Sequence, residues 1–255
     1  MNPIALLLSL IPFWTHPLLI EPVYTQPVDQ VVEFNTKALQ LQRQWDLFNM
    51  RNPFSSYYSP SFNLYYMIDQ PDSIQVYVGR FTKLDKDYEP KDLVLLSDLD
   101  PSLPERFMRQ EAAHSFVALK KAVFEATKHT LSTNSAYRSY STQVGLFNRY
   151  AQIDGYEEAN TYSALPGHSE HQTGLAIDIT LSPNTMEFGD SSAYPWVKRN
   201  AHKFGFIERY PENKSYITGY IYEPWHWRYV GVELATYLYN TQMTFDEYWI
   251  NGLHE

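Results

Sequence analysis

The fold is decided by two short stretches, Ser169-Glu170-His171-Gln172-Thr173-Gly174-Leu175-Ala176-Ile177-Asp178 and Glu223-Pro224-Trp225-His226. In the first stretch, His171 and Asp178 are an odd number of positions apart, so a single unbroken strand would point their side chains to opposite faces. Gly174 lies between them and can provide a bulge or bend, after which residues 175–179 alternate like a half-buried strand. The pattern therefore predicts a bend at Gly174 that re-aims one of the two side chains.

Pro224 sets the geometry of the second stretch. A proline disfavours helical geometry in the residue before it, so Glu223 is expected in an extended or turn segment. This excludes the helical zinc motif HExxH, in which both histidines lie on one helix face. His226 is then predicted to open a strand that runs to residue 230. Glu223 and His226 can thus approach one metal from a turn and the strand that follows it.

The side chains of His171, Asp178 and His226 form a plausible ligand set for one catalytic zinc ion. Two imidazoles and a carboxylate suit zinc, and three protein ligands leave a fourth position open for water. The chain has no cysteine, which excludes cysteine-based structural zinc sites. A lone histidine or aspartate is more often structural, so the combination carries the prediction. His168 could replace His171, although its position favours a loop at the cleft edge, and cobalt or manganese could replace zinc.

Four ordered blocks of the sequence resemble the signature motifs of VanY-type D-alanyl-D-alanine carboxypeptidases. These are zinc peptidases of bacterial cell walls, and the family includes L,D-carboxypeptidase relatives. The resemblance covers roughly residues 78–240, and the blocks are residues 135–143, 166–178, 204–211 and 223–231. It implies that His171, Asp178 and His226 bind one zinc ion and that Glu223 is the catalytic base, the same four residues that the spacing indicates.

The resemblance also implies roles for three further residues. Arg138 would be catalytic and would face the scissile carbonyl or a substrate carboxylate, while Gln143 and Ser169 would bind the peptide. Structural alternatives stay open for all three. Arg138 would then form a surface ion pair, Gln143 would belong to the first turn of a helix, and Ser169 would be an ordinary loop hydroxyl.

The resulting hypothesis is a zinc-dependent D,D-carboxypeptidase that acts on peptidoglycan stem peptides. Attack by a zinc-bound water, assisted by Glu223, would release the C-terminal D-Ala of a stem pentapeptide. An alternative is an L,D-carboxypeptidase that trims the tetrapeptide stem. A third reading is a non-catalytic, zinc-containing module that binds the cell wall, but such a module has no need of a base beside the metal.

Charge and the N-terminus bear on partners and location. The net charge of −9 argues against a nucleic-acid partner, which requires a basic surface, and no obligatory protein partner is inferred. Residues 4–14 form an apolar run of signal-peptide length, too short for a comfortable membrane anchor. No lysine or arginine precedes this run. We expect an extracytoplasmic protein, secreted or membrane-associated through this segment, mainly because the substrate that the resemblance implies lies outside the membrane. The alternative is that the segment is a hydrophobic arm that packs on the domain.

The chain is predicted to have three parts. Residues 1–27 form a hydrophobic segment and a proline-containing linker, and residues 28–77 an accessory helix and strand region. The accessory helix is predicted from an apolar stripe between Phe34 and Phe48, and the strand covers residues 74–78. Residues 78–255 form the zinc peptidase catalytic domain.

Within the catalytic domain the pattern predicts an α+β architecture. A helix over residues 104–129 should bury a stripe that runs from Ala112 to Ala126, and a strand over 133–137 should deliver Arg138 just before a helix that begins near Ser141. A helix over 195–204 should stop at Gly205, and a last helix should cover 232–241. This order is not a regular βαβ alternation, so we predict helices packed on a mostly antiparallel sheet with zinc in the central cleft.

Overall fold

The main sheet of the described residues is antiparallel and has four strands, in the spatial order Leu131–Ser135, Ala176–Leu181, His226–Tyr229 and Phe206–Glu208. A computed structural model describes residues 66–253. Its strands are β1 (Tyr66–Met67), β2 (Thr82–Lys83), β3 (Leu93–Leu95), β4 (Phe107–Arg109), β5 (Leu131–Ser135), β6 (Ala176–Leu181), β7 (Phe206–Glu208) and β8 (His226–Tyr229). Strands β3 and β4 form a small antiparallel pair, and β1 and β2 form a short parallel pair.

Helices surround this sheet. They are α1 (Leu96–Leu99), α2 (Gln110–Thr127), α3 (Tyr140–Asp154), α4 (Tyr156–Tyr162), α5 (Ala193–Asn200), α6 (Ser215–Thr218), α7 (Val232–Thr241) and α8 (Phe245–Ile250). Short 3₁₀ helices cover Glu170–Thr173, Phe188–Asp190 and Ala201–Phe204. The predicted α+β class, with helices on a mostly antiparallel sheet, is confirmed.

The hydrophobic core lies between the sheet and helix α2. Phe116, Leu119 and Val123 of α2 are fully buried, and the ring of Phe116 meets that of Phe206 edge-on at 6.4 Å. At about 25 cal/mol per Å² of apolar surface, burial of each large side chain contributes roughly 2 kcal/mol. Packing of this helix therefore holds the rear of the sheet that carries the candidate ligands.

The predicted bounds of α2 were wrong at its N-terminal end. The helix begins at Gln110 and not at Pro104, because residues 107–109 pair with β3 and the Gln110 amide donates to the Asp92 carbonyl at 2.8 Å. Strand pairing thus overrides the local preference of proline for a first helical turn. Ala126, predicted in the buried stripe, is exposed.

Two further element predictions were wrong. Residues 74–78 are buried in part but do not form a strand, because the carbonyls of Ile74 and Val76 accept hydrogen bonds from the Arg228 guanidinium at 3.1 and 2.7 Å. Helix α7 has the predicted bounds but is not the last helix, since α8 follows it.

Some predictions fall on residues that the structure does not describe. The hydrophobic segment and linker of residues 1–27 and the helix over 34–48 lie outside the described residues, and the three-part division stays a prediction. Between residues 66 and 253, every helix is too short or too polar to cross a bilayer.

Gly205 ends the 3₁₀ helix that extends α5, as predicted. Its φ is +78°, a left-handed conformation that L side chains rarely adopt. A Cβ atom at this position would lie 2.5 Å from the Tyr229 ring and 3.1 Å from the Gly231 carbonyl carbon. The turn from α5 into β7 therefore requires glycine.

We expect Gly205→Ala to lower the free energy of unfolding by roughly 1–3 kcal/mol, because the left-handed backbone and the Tyr229 contact both oppose a methyl group. Gly145→Ala is the matched control, since Gly145 lies in α3 and, apart from the neighbouring backbone of its own helix, nothing lies within 4 Å of the place that its methyl group would take. That change should raise stability by about 0.5–1 kcal/mol. Denaturant unfolding of both variants measures the difference, and equal effects would contradict the steric explanation.

Candidate active site

The register of the central sheet sets the first pair of candidate ligands. Asp178 of β6 lies directly opposite His226 of β8. Cross-strand partners in an antiparallel pair have Cβ atoms about 4.5–5.5 Å apart and share one face. Here the His226 Nδ1 atom lies 3.0 Å from the Asp178 Oδ1 atom. The pairing of two strands is thus sufficient to bring these two residues together.

His171 reaches the same place from the turn before β6. It lies in the 3₁₀ helix Glu170–Thr173, which ends at Gly174 with φ +68°. The predicted bend at Gly174 is confirmed. Through it, the His171 Nε2 atom comes to 3.2 Å from the Asp178 Oδ2 atom.

Hydrogen bonds on the far side of each ring fix the orientation of both histidines. The His171 Nδ1 atom lies 2.6 Å from the Ala136 carbonyl oxygen, which can only accept a proton. The His226 Nε2 atom lies 3.2 Å from Glu170 Oε2. When both outer nitrogens donate, the inner nitrogens present lone pairs towards Asp178. Such outer partners are the usual support of metal-binding histidines.

The donor set fits a metal ion. Ligand atoms of His171, Asp178 and His226 all lie within 4.8 Å of one another. In a tetrahedral zinc site with bonds of about 2.0–2.2 Å, neighbouring ligand atoms are about 3.3–3.6 Å apart. The separations of 3.2 and 3.0 Å between Asp178 and the two histidines are close to that spacing.

The electrostatics of the three residues favour a positive centre. Burial opposes ionisation of Asp178, but the charges and hydrogen bonds of the two histidines outweigh it and hold the pKa of this carboxyl well below its usual range. Burial also opposes protonation of His226, yet hydrogen bonds to Asp178 and Glu170 raise its pKa to about 9. For His171 burial dominates and lowers the pKa. In the absence of a metal, protonated His226 supplies the positive charge that balances the neighbouring carboxylates.

Glu223 lies at the turn that precedes β8, as predicted. Its amide donates to the Tyr210 carbonyl and its own carbonyl accepts from the His226 amide, both at 3.1 Å. The Glu223 Oε2 atom lies 4.0 Å from His226 Nδ1. Burial raises the pKa of this carboxyl to about 7, although His226 partly offsets the effect. A carboxyl with such a pKa can accept and release a proton near neutrality.

Arg138 follows β5 and enters the site beside Asp178. Its Nη2 atom lies 3.8 Å from Asp178 Oδ2 and donates to Ser135 Oγ at 2.8 Å, and its Nη1 atom donates to Gln143 Oε1 at 2.7 Å. Gln143 is buried and its amide also donates to the Ala164 carbonyl at 2.7 Å. Direct contact between Gln143 and a substrate, as predicted, would require this side chain to leave Arg138.

The candidate ligands and their neighbours line one cavity of about 310 Å³. Arg138, Ser169, Glu223 and the three candidate ligands all line it, so the structure brings six of the seven predicted site residues to one cavity. The other walls come from residues that the sequence analysis did not identify, chiefly Tyr150, Tyr162, Tyr210, Tyr220, Ile221 and Trp225.

His168 does not join this group. Its Nδ1 atom lies 2.9 Å from the Gly79 carbonyl oxygen, the residue is buried, and it is not one of the three residues whose ligand atoms come together. The alternative in which His168 replaces His171 as a ligand is therefore not supported by its position.

A buried charge network behind His226 escaped the sequence analysis. Glu170 Oε1 accepts hydrogen bonds from Arg209 Nε at 2.8 Å and from Arg228 Nη1 at 3.0 Å. Asp246 contacts the other side of the Arg209 guanidinium. Glu170, Arg209 and Arg228 each lie in one of the four motif blocks of the sequence. A charged residue inside such a block is the feature from which their role could have been predicted. Asp246 lies outside all four blocks.

Comparison with known proteins agrees with this geometry. A family model described as VanY, D-alanyl-D-alanine carboxypeptidase, matches residues 105–232. The chain is 40% identical over 191 residues to protein YodJ of Bacillus subtilis (strain 168), which covers 71% of this chain and 68% of that protein.

Solved structures are similar as well. The LdcB LD-carboxypeptidase matches with a TM-score of 0.66 and 36% identity, over 74% of this chain and 91% of that chain. A mutant of the vancomycin-resistance D,D-pentapeptidase VanY in complex with Zn(II) matches with a TM-score of 0.60 and 29% identity, over 69% and 98% of the two chains. The chain therefore belongs to the VanY D-alanyl-D-alanine carboxypeptidase family and is an enzyme of the carboxypeptidase type.

Proposed function

We propose that this protein is a zinc-dependent D,D-carboxypeptidase that removes the C-terminal D-Ala from peptidoglycan stem pentapeptides. The observation that carries the proposal is one cavity that joins three candidate metal-ligating side chains, a carboxyl with a pKa of about 7 and a partly buried arginine. The likeness to a D,D-pentapeptidase crystallised with Zn(II) supports both the metal and the substrate. Such a substrate implies an extracytoplasmic location.

His171, Asp178 and His226 would hold the zinc ion through Nε2, a carboxylate oxygen and Nδ1. When bound, zinc lowers the pKa of water and polarises a peptide carbonyl. Ala136 and Glu170 keep the two imidazoles in the tautomers that ligation requires. The side chains therefore need little movement on metal binding, and His226 has only to release its Nδ1 proton.

Glu223 is assigned the proton transfers. Its side chain faces the cavity beside His226, and its raised pKa suits a group that takes a proton from the attacking water. The same carboxyl can then return that proton to the departing amine, which would otherwise leave as a strongly basic anion. One residue therefore serves as base and then as acid.

Arg138 is assigned recognition of negative charge. A guanidinium stays protonated in proteins and offers a planar fork of donors that matches a carboxylate or a developing oxyanion. Ser135 and Gln143 hold this fork in place. A fixed cation in the cavity would let the enzyme select the last residue of a peptide by its carboxylate. Ser169 remains a proposed contact for the peptide itself.

Removal of D-Ala from the tetrapeptide stem is the second candidate. It is favoured by the likeness to the LdcB LD-carboxypeptidase, which has a higher TM-score and identity than the D,D-pentapeptidase described above. The two reactions share the metal, the base and the cation. They differ in the residue on the amino side of the scissile bond, which the cavity walls must accommodate.

Incubation of the zinc-loaded protein with stem pentapeptide and stem tetrapeptide, followed by mass spectrometry, separates these candidates. We expect the pentapeptide to lose one alanine, and a chelator-treated sample to leave it intact. Loss of alanine from the tetrapeptide alone would move the assignment to the L,D class. If neither peptide changes while zinc remains bound, a non-catalytic wall-binding module replaces both.

We expect Glu223→Gln to lower kcat by about 10²–10⁴-fold, the usual contribution of a general base, with zinc content unchanged. The amide keeps the shape of the side chain but cannot accept the proton. Glu212→Gln, at an exposed position, is the matched control and should keep full activity. Substantial turnover by a zinc-loaded Glu223→Gln protein would remove Glu223 from its proposed role.

Zinc affinity should rise with pH between about 7.5 and 8.5. The pKa of His226 is raised to about 9 in the metal-free protein, so its imidazole carries a proton in this range, and ligation requires that proton to leave. One displaced proton makes the apparent Kd about tenfold lower at the higher pH. Competition with a chelator of known pH dependence measures the Kd, and a pH indicator in weak buffer measures the released proton. A Kd that does not change over this range would contradict the proposed ligand.

A further inference from the structure

The two oxygens of Glu170 have different partners. Oε1 accepts hydrogen bonds from Arg209 and Arg228, whereas Oε2 faces the outer nitrogen of His226 at 3.2 Å. The side chains of Glu170 and both arginines are 0% exposed. Since two cations hold Oε1, the carboxylate cannot rotate without breaking a buried ion pair, and Oε2 stays directed at His226.

Asp246 completes this arrangement from the C-terminal side of the chain. Both of its oxygens contact the Arg209 guanidinium, and Oδ1 also accepts a hydrogen bond from Tyr77 Oη at 2.7 Å. Its side chain is 3% exposed. Arg209 thus spans two carboxylates, with Glu170 at Nε and Asp246 at the terminal nitrogens.

The charges of this group balance only when Asp246 is included. Glu170 and Asp246 carry two negative charges, and Arg209 and Arg228 carry two positive charges. The network behind His226 is therefore close to neutral, so that once a metal displaces the proton on Nδ1 the imidazole can stay neutral with its remaining proton on Nε2. Without the charge of Asp246, Arg209 would have one negative partner instead of two. Its positive charge would then attract the Glu170 carboxylate more strongly. The carboxylate would then be a weaker acceptor for His226.

Helix α8 is built to hold Asp246 in this position. Thr244 caps the helix in a capping box with Glu247, and Phe245 is buried against the ring of Tyr77. The helix lies beyond residues 105–232, which the family model matches. A segment outside the matched region is thus connected to the candidate metal centre through buried charges.

We propose that Asp246 is a positioning residue for His226 and acts on it through Arg209 and Glu170. Helix α8 then helps to hold the ligand His226 in place, in addition to packing on the core. The inference rests on the proposed zinc site, since it assigns what supports one of the ligands of that site.

The test uses Asp246→Asn in the full chain. Asparagine keeps the shape of the side chain and removes its charge. We expect the zinc dissociation constant to rise by about tenfold, at the low end of the 10–100-fold range for losing a direct outer partner of a ligand, because Asp246 acts through two intervening residues. Glu247→Gln is the matched control, because Glu247 lies next to Asp246 on α8 but pairs with Lys214 and Thr244, away from His226. Glutamine can still complete the capping box, so the control should bind zinc as the wild type does.

A second readout separates positioning from stability. In zinc-loaded wild-type protein, long-range ¹H–¹⁵N NMR should show the His226 proton on Nε2, and the Asp246→Asn spectrum should show a weaker hydrogen bond at that proton. Asp246→Glu should restore part of the affinity, because it returns the charge. If Asp246→Asn does not fold, Arg209→Lys is measured in its place, since lysine cannot bridge both carboxylates and should weaken zinc binding similarly.

The outcomes are distinguishable. Tight zinc binding by the wild type together with unchanged binding by a folded Asp246→Asn variant overturns the inference and leaves the proposed function intact. A wild-type proton on Nδ1 of His226 overturns it without any variant. A wild-type protein that binds no zinc overturns the proposed function and this inference together.

Discussion

The pairing of β6 with β8 is the constraint on which the site depends. Asp178 and His226 are opposite residues in that antiparallel pair, so a shift of one residue would send one side chain to the other face of the sheet. The register is enforced by burial, since every residue of β8 is buried and β6 is buried at all positions but one. Burial of these two strands in the core therefore fixes the positions of Asp178 and His226 in the site.

The sequence predicted the parts of the site that depend on local chain geometry. The odd spacing of His171 and Asp178 required a bend, and Gly174 provides it. The proline after Glu223 required a turn before a strand, and the structure has both. Such predictions succeed because a few consecutive residues contain all of the steric information that they need.

Predictions that depend on distant partners failed or were not made. Helix α2 begins after the predicted residue because β4 pairs with β3. Residues 74–78 are not a strand because the Arg228 guanidinium donates hydrogen bonds to two of their carbonyls. The hydrogen bond that keeps Gln143 behind Arg138 and the contact of Asp246 with Arg209 are also invisible in the linear sequence. Each requires knowledge of which segments meet in space, which local spacing does not contain.

The cavity has two kinds of wall, and they belong to different parts of the fold. The candidate ligands are fixed by strand register and buried charge, whereas Tyr150 and Tyr162 come from α3 and α4, and Ile221 from the loop before β8. Mutations in these helices and this loop can reshape the space around a peptide without moving the ligands. Selection can therefore change the preferred peptide of such an enzyme in small steps while the three candidate ligands are inherited unaltered.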